Sequence, residues 1–208
     1  HTVVLEKEIT KITRKPRIEI IAGCKKTQTL HTEHGYKFLL DVSEVMWSKG
    51  NKQERQRIVK LQKKGEIIID MFAGIGYFSI FLAKKAKKIY AIDINPKALE
   101  YLRKNVWLNN VENKIEILEG DCRKFSRLLE NIADRIIMGY LNKTERFLPY
   151  ASRIAKKNCI IHFHRAVSID EKEKIKKILE KNFKILRITR VKSYAPKIDH
   201  LVYDIRKT

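Results

Sequence analysis

From Glu66 onward, strand-sized apolar runs alternate with longer, more polar runs of helical length. Such alternation folds into a mostly parallel sheet with helices on both faces, because each parallel pair needs a crossover and both faces of the sheet must be covered. The pattern predicts strands at 66–70, 88–93, 114–118, 134–138 and 158–163, with helices at about 77–85, 96–109, 123–131 and 144–157. Asn95-Pro96 marks a helix start, with Asn as the cap and Pro at the first helical position. A charged helix over 170–181 follows, then strands Phe183–Val191 and His200–Ile205, close enough in sequence to be antiparallel neighbours. The expected class is α/β, Rossmann-like, with an antiparallel C-terminal strand.

Residues 1–43 read instead as short strands around Val3-Val4-Leu5, Ile18–Ile21 and Lys37–Asp41, punctuated by Gly23 and His34-Gly35. Asn51–Lys64 reads as a basic helix with Ile58 and Leu61 on its apolar side, stopped by Gly65. The expected division is a small β-rich subdomain over 1–47 and a catalytic domain over 48–208.

Charge narrows the function. The 208 residues carry 45 Lys plus Arg against 24 Asp plus Glu, a net +21. A surplus of that size points to a polyanionic partner, most simply nucleic acid. A thermophile's ion-paired surface is the alternative, but ion-pair networks raise both signs together. No apolar run approaches the ~18 residues of a membrane span, and no basic amphipathic helix shows an exposed aromatic face, so no membrane partner is expected. Cys24, Cys122 and Cys159 lie far apart without a C-x-x-C, which argues for reduced thiols, a cytoplasmic location and no zinc site. His31 and His34, lacking further ligands in the sequence, read as part of a turn. No secretory signal is expected, and His at the first position suggests a processed or trimmed end. A monomer is expected.

The segment Ile67-Ile-Ile-Asp70-Met-Phe72-Ala-Gly74-Ile-Gly76-Tyr-Phe-Ser79 carries the most chemistry. A buried strand ends in an acid, and a glycine turn that lets backbone approach a ligand leads into a helix. The second strand ends in Asp93, placed to accept both hydroxyls of a ribose. The third ends in Gly120-Asp121-Cys122, where a carboxylate and a neighbouring N–H could read an adenine edge. A dinucleotide site would show a third glycine where Ser79 stands, and Asp70 would repel a pyrophosphate. An acidic strand end suits S-adenosylmethionine, whose amino group and sulfonium are cationic. The plain alternatives are tight-turn glycines at 74 and 76, and a helix cap or surface charge at Asp93.

D-x-F-x-G-x-G, then an acid, then G-D, resembles the class I S-adenosylmethionine-dependent transferases. The stretch Phe38–Arg55, with Trp47-Ser48-Lys49-Gly50-Asn51, resembles the segment preceding the cofactor fold in the tRNA position-37 guanine-N1 methyltransferases and their wybutosine-pathway relatives. The methyltransferase branch has Asn-Leu-Pro after the fourth strand. Here Met138 is followed by Gly139-Tyr140-Leu141, which resembles the wybutosine branch, the aminocarboxypropyltransferases acting on tRNA(Phe). Ile160-Ile-His162-Phe-His164 and the turn Lys192-Ser-Tyr-Ala-Pro196 are similar to that branch as well.

The resemblance implies transfer of the 3-amino-3-carboxypropyl arm of S-adenosyl-L-methionine to C7 of the tricyclic base 4-demethylwyosine at position 37, beside the anticodon, leaving methylthioadenosine; the alternatives are guanine-37 N1-methylation by the same fold and a non-catalytic RNA-binding protein with a residual cofactor fold. It implies cofactor contacts from Ser48, Arg55, Phe72, Gly74, Asp93, Asp121 and Cys122, with the Arg55 fork on the methionine carboxylate. Arg55 read alone is one more basic residue on a basic helix. Tyr140 is either a stacking platform for the tricycle or an ordinary pocket wall. His162 and His164 are expected on opposite faces of their strand, with His164 the candidate catalytic residue for base contact or proton removal, or else a satisfied structural histidine. Lys7, Lys11, Arg14, Lys15, Arg17, Lys25, Lys26 and the helix around Lys52–Lys64 are the expected phosphate contacts.

Overall fold

The computed structural model describes residues 2–9 and 14–208. Two hairpins come first: β1 (Thr2–Ile9) with β2 (Pro16–Gly23), and β3 (Gln28–Glu33) with β4 (Tyr36–Asp41). Each is a separate antiparallel two-stranded sheet. Lys11, expected to contact phosphate, lies outside the described residues. A 3-10 turn at Lys49–Asn51 then leads into α1 (Lys52–Leu61).

The alternating unit follows, with β5 (Ile67–Asp70), α2 (Ser79–Ala83), β6 (Lys88–Asp93), α3 (Pro96–Leu108), β7 (Ile115–Glu119) and β8 (Ala133–Met138). It continues through α4 (Leu148–Ile154), β9 (Ala155–Ser168), α5 (Lys172–Glu180), β10 (Phe183–Ala195) and β11 (Ile198–Lys207). These seven strands form one sheet in the order β10-β11-β9-β8-β5-β6-β7. β5 to β9 run parallel, while β11 is antiparallel to both β9 and β10. The strand order reverses beside β5, so the loops after β5, β6, β7 and β8 meet at one edge, where open α/β sheets bind ligands.

The sheet divides the core. Ile68 packs with Phe38, Leu40, Ile58, Ile80 and Leu102 on one side. Its neighbour Ile69 packs with Ile136, Leu148, Ile154 and Phe163 on the other, as the alternation of strand side chains requires. Phe38 and Leu40 thus bring the β3–β4 hairpin into the core of the alternating unit. Asn105 of α3 accepts a hydrogen bond from the Leu39 N–H at 2.6 Å, and Asn109 one from the Lys37 N–H at 2.9 Å, fastening β4 to that helix.

The cap at Asn95 forms as expected, its side chain accepting from the Lys97 N–H at 3.0 Å. Three local expectations change. The helix expected at 123–131 is only a 3-10 turn, Cys122–Phe125. There the Ser126 hydroxyl donates back to the Arg123 carbonyl at 2.9 Å, an alternative to helical pairing. The helix expected to reach 157 stops at Ile154, because Ala155 already pairs with Ala133 in the sheet. β3 was not expected, since Gln28-Thr-Leu-His-Thr-Glu33 has a single large apolar residue to mark an inner face.

Candidate active site

Asp93, at the tip of β6, organises the loop after β5. Its carboxylate accepts from the Gly74 N–H at 2.7 Å and from the Asn95 N–H at 2.9 Å. The Ala73 N–H donates to the Ile92 carbonyl at 2.9 Å, and the Gly120 N–H to the Asp93 carbonyl at 2.8 Å, so three strand ends are tied together. Burial pushes the Asp93 pKa up. Gly76 has φ +99°, and a Cβ there would come within 2.8 Å of Ile80 and Leu102. Only glycine fits that backbone and that space.

Asp70 is fully buried at the tip of β5. One of its oxygens accepts from the Ser79 hydroxyl at 2.7 Å, and the other has no hydrogen-bond partner of full geometry among the described residues, although the Phe72 N–H lies near enough to favour the carboxylate. Burial raises its pKa to about 7, with the Ser79 bond opposing. A partnerless buried carboxylate oxygen beside two left-handed glycines fits a cationic ligand and disfavours a pyrophosphate.

A roof covers this loop. The Tyr77 ring lies over Gly74, and its hydroxyl donates to the Met46 carbonyl. Trp47 packs on Tyr77 with ring centres 5.6 Å apart. The segment preceding α1 therefore closes over the glycine turn. Arg55 holds that segment from behind. It is 1% exposed, its Nε and Nη2 donate to the two oxygens of Glu33 at 2.9 and 2.7 Å, and its Nη1 donates to the Ser48 carbonyl at 3.2 Å. Trp47 and Phe81 stack on the guanidinium at 5.1 and 5.9 Å. Glu33 was missed from sequence: it stands on the strand that was missed, 22 residues from its partner.

Asp121 caps the 3-10 turn, accepting from the Arg123 N–H at 2.9 Å, and pairs with the Arg123 side chain at 2.5 Å. That bond holds its pKa below the usual carboxylate range. Cys122 is buried, and burial pushes its thiol up to about 12, so it acts through shape and backbone rather than as a thiolate. On the β8 side, Phe72 stacks on Tyr140 with centres 5.2 Å apart and planes at 25°. Phe147 closes edge-on against both rings, and Arg123 lies over Phe147 at 5.6 Å.

The two histidines do not face opposite ways. Two residues apart on one strand, they share a face, as the period of two requires. Both are buried, at 0% and 1% exposure. His162 contacts Asp204 and Arg135, each at 2.6 Å. His164 shares a hydrogen bond with His200 at 3.0 Å and meets the edge of Phe78, centres 5.4 Å apart. Burial holds the His164 pKa well below the usual imidazole range. Phe78 also lies against Gly139, linking His164 to the β8 loop.

Residues 29–193 match the model of the TRM5/TYW2 methyltransferase domain. The chain is 42% identical over 211 residues to the tRNA(Phe) (4-demethylwyosine(37)-C(7)) aminocarboxypropyltransferase of Methanocaldococcus jannaschii, covering 96% of this chain and 82% of that one. It superposes on the structure of M. jannaschii TYW2 in complex with AdoMet with a TM-score of 0.79 at 38% identity, over 92% of this chain and 91% of that one. On the complex of aTrm5 with tRNALeu the TM-score is 0.89 at 36% identity, over 100% of this chain and 61% of that one.

Proposed function

The chain belongs to the TRM5/TYW2 methyltransferase-domain family, and from that premise we propose that it moves the 3-amino-3-carboxypropyl group of S-adenosyl-L-methionine to C7 of 4-demethylwyosine at position 37 of tRNA(Phe). It is a tRNA-modifying transferase of wybutosine-derivative synthesis. The observation that carries this reading is the agreement between the near full-length match to the M. jannaschii aminocarboxypropyltransferase and a β8 tip that reads Gly139-Tyr140.

When bound, S-adenosyl-L-methionine supplies a sulfonium that activates its attached carbons, and departure of the carboxypropyl arm leaves methylthioadenosine. The protein selects which carbon is presented, through geometry. In this reading Asp93 receives the ribose, Gly74 allows close approach, and Asp121 with the Cys122 backbone borders the adenine. Phe72 lies along the nucleoside, and the unpartnered oxygen of Asp70 faces the cationic end. Ser48 and Arg55 border the methionine end, with the Arg55 charge already shared with Glu33. Tyr140, stacked on Phe72, forms the platform for the tricycle. His164 acts as a positioning residue that holds Phe78 against Gly139.

The tRNA presents its anticodon loop to this edge, and the protein works as a monomer. Exposed Lys25 and Lys26 follow the first hairpin, and α1 adds further cations. Affinity for tRNA falls steeply with salt. The test is incubation with S-adenosyl-L-methionine labelled in the carboxypropyl arm and tRNA bearing the tricyclic precursor. Labelled tRNA with methylthioadenosine is expected. S-adenosylhomocysteine and an unlabelled tRNA would instead assign guanine-N1 methylation.

A further inference from the structure

Lys192 lies on β10 where that strand meets the 3-10 turn Lys49–Asn51. Its side chain occupies the space in front of Gly50. A Cβ at position 50 would stand 2.6 Å from Lys192 Cδ and 2.8 Å from its Nζ, so glycine is what admits the amine. Lys192 is half-buried, and among the described residues it has no carboxylate or other acceptor. The side-chain charges acting on it are those of Arg14 and Arg55, both positive. Arg55 is neutralised by Glu33. Arg14, held at φ +53°, directs Nη2 to the weakly accepting sulfur of Met46 at 3.3 Å and leaves a buried Nε without a partner.

Two cations with unused donors therefore converge on the segment Met46–Gly50, the same segment whose Met46 carbonyl holds Tyr77 over the glycine turn. Partly buried cations with no counter-charge among the described residues are costly, and a bound anion reduces that cost. We propose that Lys192, with Arg14 beside it, holds the carboxylate of the departing 3-amino-3-carboxypropyl arm. This rests on the function proposed above. It also supplies what Arg55 lacks, since the Arg55 fork is spent on Glu33. Anchoring the carboxylate at a fixed point fixes the arm relative to the sulfonium, and so determines which carbon faces the acceptor.

Calorimetry on the full chain tests this with three ligands: S-adenosyl-L-methionine, its decarboxylated analogue, and methylthioadenosine, which lacks the arm. Lys192→Met is expected to weaken S-adenosyl-L-methionine binding by about 10-fold or more, the scale of one charge-assisted hydrogen bond. Binding of the other two ligands stays within about 2-fold, which also reports that the variant is folded. Lys192→Arg restores much of the loss. Gly50→Ala, which keeps the amine but displaces it, reproduces the selectivity to a smaller degree. Equal weakening of all three ligands would assign Lys192 to the fold and overturn the proposal. Unchanged S-adenosyl-L-methionine binding with weakened tRNA binding would overturn it too, and assign the cations to an RNA phosphate. A wild-type chain that binds none of the three would sink the parent function, and this inference with it.

Discussion

Two buried polar regions of this molecule are built on opposite terms. Under β8, β9 and β11 runs a chain of charged and polar groups, Glu66–Arg135–His162–Asp204–Arg57–Glu54, with a neutral imidazole at its centre, in which each member meets the next within 2.9 Å. At the tips of β5 and β6 and under the segment before α1, polar atoms are also withdrawn from water, yet among the described residues an Asp70 oxygen and the Arg14 Nε have no partner. Evolution of a stable interior disfavours such groups unless something else satisfies them. Where every charge is answered from within, the role is architectural. Where groups are left without a partner at the strand tips, the proposed ligand is the partner that answers them.

The sharpest way to break this contrast is to cut the ion chain. Arg135→Met leaves Glu66 and His162 without their partner and should cost about 3–5 kcal/mol of stability. Denaturant titration reads the loss, and affinity for S-adenosyl-L-methionine should not move. A parallel loss of ligand affinity in the folded fraction would mean that the two regions are one.

Acid probes the border between them. Burial lowers the His164 pKa well below its usual range and that of His200 from 6.5 to about 4. The unfolded chain therefore binds protons first as pH falls. The contribution of these histidines to stability is full above about pH 6.5 and declines toward pH 4, by roughly 2–3 kcal/mol for His200 alone, against the opposite slope that Asp70 imposes. Denaturation midpoints measured across that range should flatten in His200→Gln, and an unaltered slope would contradict the assignment.

Asp70→Asn tests the other side. The folded-state pKa of about 7, against 3.8 in the open chain, means that ionising Asp70 opposes folding increasingly from pH 4 to 7 and fully above it. The variant should gain about 1–3 kcal/mol at pH 8 while losing affinity for S-adenosyl-L-methionine, a trade expected where stability is given up for a ligand. A variant that is both less stable and equally avid would refute it. The smallest effect belongs to Tyr140→Leu, which removes one aromatic stacking partner worth about 0.5–1.5 kcal/mol. The tRNA KM should rise several-fold in steady-state assays, with donor affinity unchanged.

What the sequence disclosed follows the same division. The β5 tip, the Asp93 position and the Asn95 cap were legible because each depends on residues adjacent in the chain. The ion chain was not, since Arg57 and Asp204 are 147 residues apart and meet only when β11 enters the sheet. Arg55 was marked by resemblance as an expected cofactor contact, but its commitment to Glu33 was hidden in a strand with no apolar alternation. Lys192 was visible only as part of a turn motif. Its lack of an acidic partner among the described residues is a property of the folded arrangement.

The position of β11 carries a consequence for biosynthesis. Although it is made after β10, it lies between β10 and β9. A nascent chain paused at Ala195 would expose the open edge of β9 and carry β10 with nothing to pair against, a template for association with other chains. Insertion of the later strand closes that gap and, in the same event, delivers Asp204 to His162 and brings β10, with its amine, to rest against Gly50.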